Sequence, residues 1–322
     1  MAVYTDVSDA DLSQFLSGFS LGRPTGFKGI AEGVENSNYL LQTESGTYIL
    51  TLYEKRVSER DLPFFLNCLR HLSAQGIACP QPVADREGRV LHTVCGRPAA
   101  LMTFLPGLSP RRPDAAQCGE AGSALARLHL AGASFPERRA NSMGLEAWRA
   151  LGAKTAPRAD SVSPGLADAI AEELAFLAGQ WPGDLPQGLI HADLFPDNVL
   201  FTGARISGVI DFYFACTGLL AYDVAVCLNA WCFEPNGDFS AAKSRALMTC
   251  YQALRPLTAA ERQRLPVLCR AAALRFLLTR LADWLDRDPS ALVRPKDPLE
   301  FLGRLRFHRQ VRDSSVYGAG GL

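Results

Sequence analysis

The chain has 322 residues, and its 33 Lys and Arg balance 33 Asp and Glu to a formal net charge of zero. That neutrality gives no basic surplus for nucleic acid and no acidic surplus for a cationic partner. Apolar residues make up 48% and charged residues 20%, the proportions of a globular protein, and the length suffices for two lobes with separate cores.

Residues 8–19 read as a helix. Ser8 is placed to cap it, Asp11 lies in its first turn, and Leu12, Phe15, Leu16 and Phe19 form one apolar stripe. Residues 27–30 and 38–43 read as strands around a turn of small and polar residues, and the β-branched and aromatic run 47–53 as a third. A helix over 58–75 is closed by Gly76. Strands over 90–93 and 97–104 flank a turn at Cys95-Gly96. Leu105-Pro106-Gly107 breaks the pattern. Beyond it, helices are expected over 115–131, 166–177, 222–231, 241–254, 259–265, 267–285 and 299–311. Strands are expected near 188–191, 199–202 and 206–212. The expected fold is α+β and bilobal, with an N-terminal lobe (1–104) of antiparallel sheet plus helix and a mainly helical C-terminal lobe (105–322). A crevice between lobes is where a ligand pocket commonly forms.

Nine cysteines, an odd number at wide spacings with no C-x-x-C pair, argue against a zinc or thioredoxin-type site. They read as small buried hydrophobes in a reducing compartment. No apolar run approaches the ~18 residues of a transmembrane helix. Met1-Ala2-Val3-Tyr4-Thr5-Asp6 lacks the basic and apolar regions of a secretory leader. A cytoplasmic enzyme is expected.

The chemistry lies in Leu189-Ile190-His191-Ala192-Asp193-Leu194-Phe195-Pro196-Asp197-Asn198-Val199-Leu200, followed by Ile210-Asp211-Phe212. Asp193, Asn198 and Asp211 are the two carboxylates and one amide needed to hold a divalent cation on a nucleotide and aim a hydroxyl at its terminal phosphate. The first segment resembles the protein-kinase catalytic loop, H-R-D-L-x-x-x-N, and Asp211-Phe212 resembles the start of the D-F-G element. A small residue, here Ala192, in place of the H-R-D arginine is typical of the aminoglycoside phosphotransferase and choline kinase superfamily. The resemblance implies a protein-kinase-like fold and the cofactors ATP and Mg2+. Asp193 would orient the acceptor hydroxyl and take its proton late, and Asn198 and Asp211 would bind magnesium bridging the ATP phosphates. His191 would be a structural hydrogen-bonder, and Asp223 would brace the catalytic loop from beneath. A plain carboxylate at a helix N-terminus is the other reading of Asp223.

Further segments, Glu35-Asn36-Ser37-Asn38-Tyr39, Asp211-Phe212-Tyr213-Phe214-Ala215-Cys216 and Leu228-Asn229-Ala230-Trp231-Cys232 among them, are similar to bacterial homoserine kinases of this superfamily, and the similarity runs to about residue 307. It implies ATP-dependent phosphorylation of the hydroxyl of L-homoserine to O-phospho-L-homoserine, a step toward threonine. The implied partner is a small molecule, not nucleic acid or membrane. Alternatives are another small-molecule kinase (aminoglycoside, choline or ethanolamine, sugar) and a nucleotide-binding pseudokinase scaffold. An aminoglycoside pocket needs many carboxylates, and Glu234, Asp238, Asp283 and Asp286 are scattered.

Around the nucleotide, Gly33, Ser37 and Asn38 are candidate donors to phosphate oxygens. Backbone groups of Thr103 and Leu105 are candidates for an adenine edge. The lysine of the kinase strand falls at Thr51, which cannot neutralise phosphate charge. Lys55, of the same parity as Thr51, and Lys28 on the first strand are the candidates to replace it. Tyr213 stands in place of the D-F-G glycine, so no D-F-G flip is expected. For the acceptor the candidates are Tyr213, Asn229, Trp231 and Arg275, with Arg280 beside them. An arginine suits a bidentate carboxylate clamp; the other reading is that either arginine reaches solvent from a buried helix. His129 reads as a C-terminal helix cap.

Overall fold

The computed structural model describes residues 5–30, 36–54, 57–287 and 295–319. The chain divides into two compact units, Met1–Gly107 with Ser207–Tyr213, and Leu108–Ile206 with Phe214–Leu322. The return of Ser207–Tyr213 to the first unit is a feature that a single linear boundary at residue 104 does not express. Val209 donates its N–H to Ala78 O at 2.8 Å there, and Ser207 Oγ donates to Pro106 O at 2.5 Å.

In the first unit, α1 (Asp9–Leu16) begins at Ser8. The Ser8 side chain accepts from Asp11 N while the Asp11 carboxylate accepts from Ser8 N, a reciprocal capping box. Strands β1 (Pro24–Gly29), β2 (Asn36–Thr43), β3 (Gly46–Tyr53), β4 (His92–Val94) and β5 (Arg97–Thr103) form one antiparallel sheet in the order β1-β2-β3-β5-β4. Cys95 and Gly96, with φ of 50° and 72°, make the tight turn between β4 and β5. One face of the sheet buries Tyr39, Leu41, Leu50, Leu52, Ala99 and Leu101 with Leu12, Leu16 and Phe19. The register pairs Asn38 with Thr51 and Thr51 with Ala100, and Lys28 with Leu40, Leu40 with Ile49, and Ile49 with Met102. Because paired residues share a face and parity alternates, Lys28, Asn38 and Thr51 lie together on the opposite face. The helix expected over 58–75 is a 3-10 turn, Glu59–Asp61, followed by α2 (Leu62–Ala74) with Pro63 in its first turn.

The second unit holds α3 (Ala115–Gly132), α4 (Leu145–Ala159), α5 (Leu166–Gln180), β6 (Gln187–Ile190), β7 (Val199–Thr202), β9 (Cys216–Leu219), α6 (Leu220–Trp231), α7 (Ala241–Gln252), α8 (Ala259–Leu285) and α9 (Leu299–Gln310); β8 (Arg205–Val209) leads back to the first unit. Among the described residues no helix is long and apolar enough to cross a membrane. Two elements escape the sequence reading. Helix α4 buries Trp148, Gly152, Thr155 and Ala159, a helical stripe of mostly small residues that gives little apolar periodicity. Strand β9 is short and contains Gly218, where a Cβ would lie 2.4 Å from Ile190 Cδ1; it pairs antiparallel with β6.

The two helices expected on either side of Pro266 are one continuous helix, α8. A proline inside a helix costs about 3 kcal/mol or more. Burial of Leu265, Leu268, Leu274, Phe276, Leu277, Leu278 and Leu281, at roughly 1.5–3 kcal/mol per large apolar side chain, outweighs it.

Helices α3 and α7 approach closely because glycines line the contact. A Cβ on Gly122 would lie 2.2 Å from Leu247 O and 3.1 Å from Leu247 Cα. Gly303, on α9, has nothing within 4 Å of that position. Gly122→Ala is therefore expected to destabilise the protein by about 1–3 kcal/mol, because backbone must move apart. Gly303→Ala, gaining only helix propensity, should stabilise by about 0.5–1 kcal/mol. Urea midpoints at constant m-value measure both.

Candidate active site

Strand β6 delivers the chain to His191, and Ala192 turns it through a left-handed conformation with φ of 64°. For a residue with a Cβ this conformation costs roughly 1–2 kcal/mol. Its support comes from Asp223, in the first turn of α6 and fully buried. Asp223 Oδ2 accepts from His191 N at 2.7 Å and Oδ1 from Ala192 N at 2.8 Å. The sequence-expected brace beneath the loop is thus a carboxylate holding two consecutive backbone N–H groups.

His129 is part of the same network and does not act as a helix cap. It is buried, with Nε2 3.2 Å from Asp223 Oδ2 and Nδ1 2.9 Å from Tyr251 Oη. With the proton on Nε2, His129 donates to Asp223 and accepts from the Tyr251 hydroxyl. Tyr251 Oη in turn accepts from Arg255 Nη1 at 2.9 Å, and Arg255 Nη2 donates to Glu261 Oε1 at 2.7 Å. Burial pushes the Asp223 carboxyl up; the hydrogen bonds from the His129 ring and the His191 N–H more than reverse this and hold it below the usual carboxylate range. Tyr251, Arg255 and Glu261 carry no motif and could not be found by spacing.

Asp193 follows Ala192 with its side chain 19% exposed. Its N–H donates to His191 Nδ1 at 3.2 Å, which makes His191 the structural bonder expected. Asn198, at the end of a 3-10 turn (Pro196–Asn198), donates Nδ2 to Asp193 O at 2.8 Å and to Asp193 Oδ2 at 3.2 Å. With its nitrogen committed to Asp193, Asn198 keeps Oδ1 as a hard oxygen donor. Trp231 is buried and donates Nε1 to Leu194 O at 2.8 Å. Asp211, at φ of 63°, and Tyr213 belong to the segment of the first unit.

The acceptor candidates need correction. Asn229 is fully buried: its Nδ2 donates to Ala225 O at 2.9 Å and Cys269 O at 3.1 Å, and its Oδ1 lies 3.2 Å from His308 Nε2. It ties α6 to α8 and α9. Burial, with Arg304 and Arg270 nearby, pushes His308 down to about 3, so that ring is a neutral partner. Trp231 supports the loop from beneath and presents no ring to an acceptor. Tyr213 packs edge-on against Tyr53 and Phe65, with its hydroxyl donating to Tyr53 Oη at 3.4 Å. Arg275 is buried at 1% exposure, donates Nη1 to Ala192 O, and has Nη2 3.9 Å from Asp193 Oδ1. It reaches the Ala192–Asp193 peptide itself and does not reach solvent. Arg280 donates to Glu300 Oε2 at 2.7 Å and to Asp297 O at 3.1 Å.

On the nucleotide side, Gly33 and Lys55 lie outside the described residues. Ser37 is another correction. It pairs with Leu52, on the face opposite Thr51, and is fully buried with its hydroxyl donated to Glu54 Oε1 at 2.7 Å. Asn38 does share the Thr51 face, where its Oδ1 accepts from Thr51 Oγ1 at 2.8 Å. Exposed Lys28 is on this face as well. Thr103 donates its N–H to Gln81 O at 2.9 Å, so that donor is committed within the fold.

Replacing Asp223 tests the brace. In Asp223→Asn one acceptor oxygen becomes an NH2 group that faces backbone donors. The expected loss is about 3–5 kcal/mol, the penalty for breaking one side of a buried charged network. A urea midpoint shift at unchanged m-value reads it.

The phosphotransferase enzyme family, APH, matches residues 26–257. Homoserine kinase of Xanthobacter autotrophicus is 62% identical over 318 residues, covering 99% of each chain. Homoserine kinase of Rhodospirillum rubrum is 59% identical over the same length, again covering 99% of each. Among solved structures, an amicoumacin kinase in complex with AMP-PNP, Ca2+ and Ami superposes with a TM-score of 0.68 at 16% identity, covering 94% of this chain and 92% of that one. A microcompartment-associated aminopropanol kinase gives 0.66 at 20% identity, covering 97% and 99%. These two carry the protein-kinase-like fold, and the full-length relatives carry the subfamily: the chain belongs to the APH phosphotransferase enzyme family, on its homoserine kinase branch.

Proposed function

We propose that the chain transfers the γ-phosphoryl group of ATP to the side-chain hydroxyl of L-homoserine, giving O-phospho-L-homoserine and ADP, in the cytoplasm and on the route to threonine. Residues 1–104 are the nucleotide-binding lobe in this reading, and 105–322 the catalytic and substrate lobe. The observation that carries it is the Asp193 loop. A part-exposed carboxylate is held by Asn198 and backed by a buried brace, in a chain 62% identical to a homoserine kinase.

Asp193 accepts a hydrogen bond from the acceptor hydroxyl and so points its oxygen at the phosphorus. As the new O–P bond forms and the bond from the γ-phosphorus to the β-bridging oxygen breaks, the hydroxyl proton passes to Asp193 and ADP leaves. Asn198 fixes the carboxylate rotamer through Nδ2 while keeping Oδ1 as a donor. Asn198 and Asp211 are the proposed Mg2+ ligands. Among the described residues no group of three or more His, Cys, Asp or Glu could hold a metal. Hard oxygens from one amide and one carboxylate suit Mg2+, which takes few protein ligands and completes its shell with phosphate and water. When bound, the ion neutralises charge on the transferring phosphate. Asn38 and Lys28, on the Thr51 face, together with Gly33 and Lys55, are assigned to the phosphates, and Thr103 O with the Leu105 backbone to the base.

The ion pairing of two carboxylates in the helical segment favours a small acceptor over a polycation. Glu234 is taken by Lys243 at 2.7 Å, and Asp286 by Lys154 at 2.7 Å and Arg158 at 2.5 Å. These carboxylates are already neutralised within the chain.

An ADP-release assay with Mg2+ against L-homoserine, choline, ethanolamine and an aminoglycoside is expected to show turnover on homoserine. Turnover confined to choline or the aminoglycoside would move the chain to a sibling activity. Asp193→Ala should lower kcat by about 10²–10⁴-fold and leave binding of an ATP analogue intact. Unchanged turnover would remove Asp193 from the mechanism.

A further inference from the structure

The catalytic loop lacks a guanidinium of its own, because Ala192 stands where H-R-D carries arginine. Arg275, on α8, brings one to the same peptide. Its Nη1 donates to Ala192 O, and its Nη2 is 3.9 Å from Asp193 Oδ1. The group is 1% exposed. Its carbon lies 5.2 Å from the Phe214 ring centroid and 4.5 Å from that of Phe276. Nε has no hydrogen-bond partner among the described residues. A cation so enclosed is costly unless a carboxylate faces it, and Asp193 is the carboxylate that does.

We infer that Arg275 is a positioning residue for phosphoryl transfer, one that fixes the Ala192–Asp193 peptide and holds the Asp193 carboxylate on line. The inference rests on the phosphotransfer reading above. Ala192 is in a left-handed conformation, which persists only where the surroundings over-determine it. Asp223 holds its N–H and Arg275 holds its C=O, so both ends of this strained residue are tied to separate helices. A role as clamp for the substrate carboxylate does not fit. Phe214 and Phe276 flank the guanidinium, two of its nitrogens are turned to the loop, and at 1% exposure the group is not presented at the surface.

The test compares full-length wild type, Arg275→Met, Arg275→Lys and Arg275→Ala by steady-state kinetics on L-homoserine. Thermal unfolding and ATP-analogue binding are measured alongside. Wild-type turnover of homoserine is the first reading, and its absence defeats the proposed function irrespective of Arg275. Given that turnover, Arg275→Met should lose about 10²-fold in kcat, the scale of a small misplacement of a reacting group, with KM for homoserine and ATP within about threefold. Arg275→Lys, which keeps the charge without the planar fork, should recover part of that loss. Added guanidinium should restore turnover in Arg275→Ala, and added ammonium should restore less. Three outcomes overturn the inference: a raised KM for homoserine with kcat kept, wild-type kcat in a folded Arg275→Met or Arg275→Lys, or no response of Arg275→Ala to guanidinium. If Arg275→Met does not fold, the Arg275→Lys kinetics and the guanidinium response decide between the two.

Discussion

A single buried carboxylate organises the His191–Asn198 loop. Asp223 accepts the N–H groups of His191 and Ala192 and a third bond from His129. Two consecutive N–H groups aimed at one carboxylate require the backbone to turn sharply, and Ala192 meets that requirement by entering the left-handed region. Every later feature of the loop follows from that turn. Asp193 emerges part-exposed, Leu194 O receives Trp231 Nε1, and Asn198 folds back on Asp193. A charged group with no exposure is stabilising only when its hydrogen bonds are satisfied. The chain meets this condition with a relay that runs from Asp223 through His129 and Tyr251 to Arg255 and Glu261.

That relay links chemistry to architecture. Glu261 also closes the capping box of α8, accepting from Thr258 N at 2.9 Å while its own N–H donates to Thr258 Oγ1 at 3.1 Å. The start of α8 is thus connected to the His191–Asn198 loop through Arg255, Tyr251 on α7 and His129 on α3, and the middle of α8 returns to the loop through Arg275. The proline inside α8 is tolerated in a helix held by burial along most of its length, so both points of support are carried by one rigid element.

The parts of the site legible from sequence are those with fixed local spacing. His191, Asp193 and Asn198 lie within one loop, where residue separation determines geometry, and the structure bonds both His191 and Asn198 to Asp193. Asp223 is readable as a brace through the family resemblance alone; its place at the start of a helix suggests only a plain N-terminal carboxylate. The observed register makes Thr51 and Asn38 neighbours and places Ser37 on the other face; the sequence offers both Ser37 and Asn38 as phosphate donors, but a one-residue step in a strand inverts the side chain's surroundings. In the sequence Asn229, Trp231 and Arg275 look like acceptor contacts because they are polar or aromatic residues on nearby segments. Their actual partners, Cys269 O, Leu194 O and Ala192 O, are backbone carbonyls brought near by tertiary packing, which no linear pattern encodes. Tyr251 and Arg255 were illegible for the same reason. In the fold, α4 and β9 escaped because small residues do their packing, and Pro266 suggested a break that burial overrides.

Native-state hydrogen exchange at the His191 and Ala192 amides tests the central claim most directly. If Asp223 pins both N–H groups as a structural unit, these amides exchange only when the molecule unfolds globally, with protection equal to the unfolding free energy from denaturant titration. Exchange through local opening, at free energies several kcal/mol below the global value, would contradict the account.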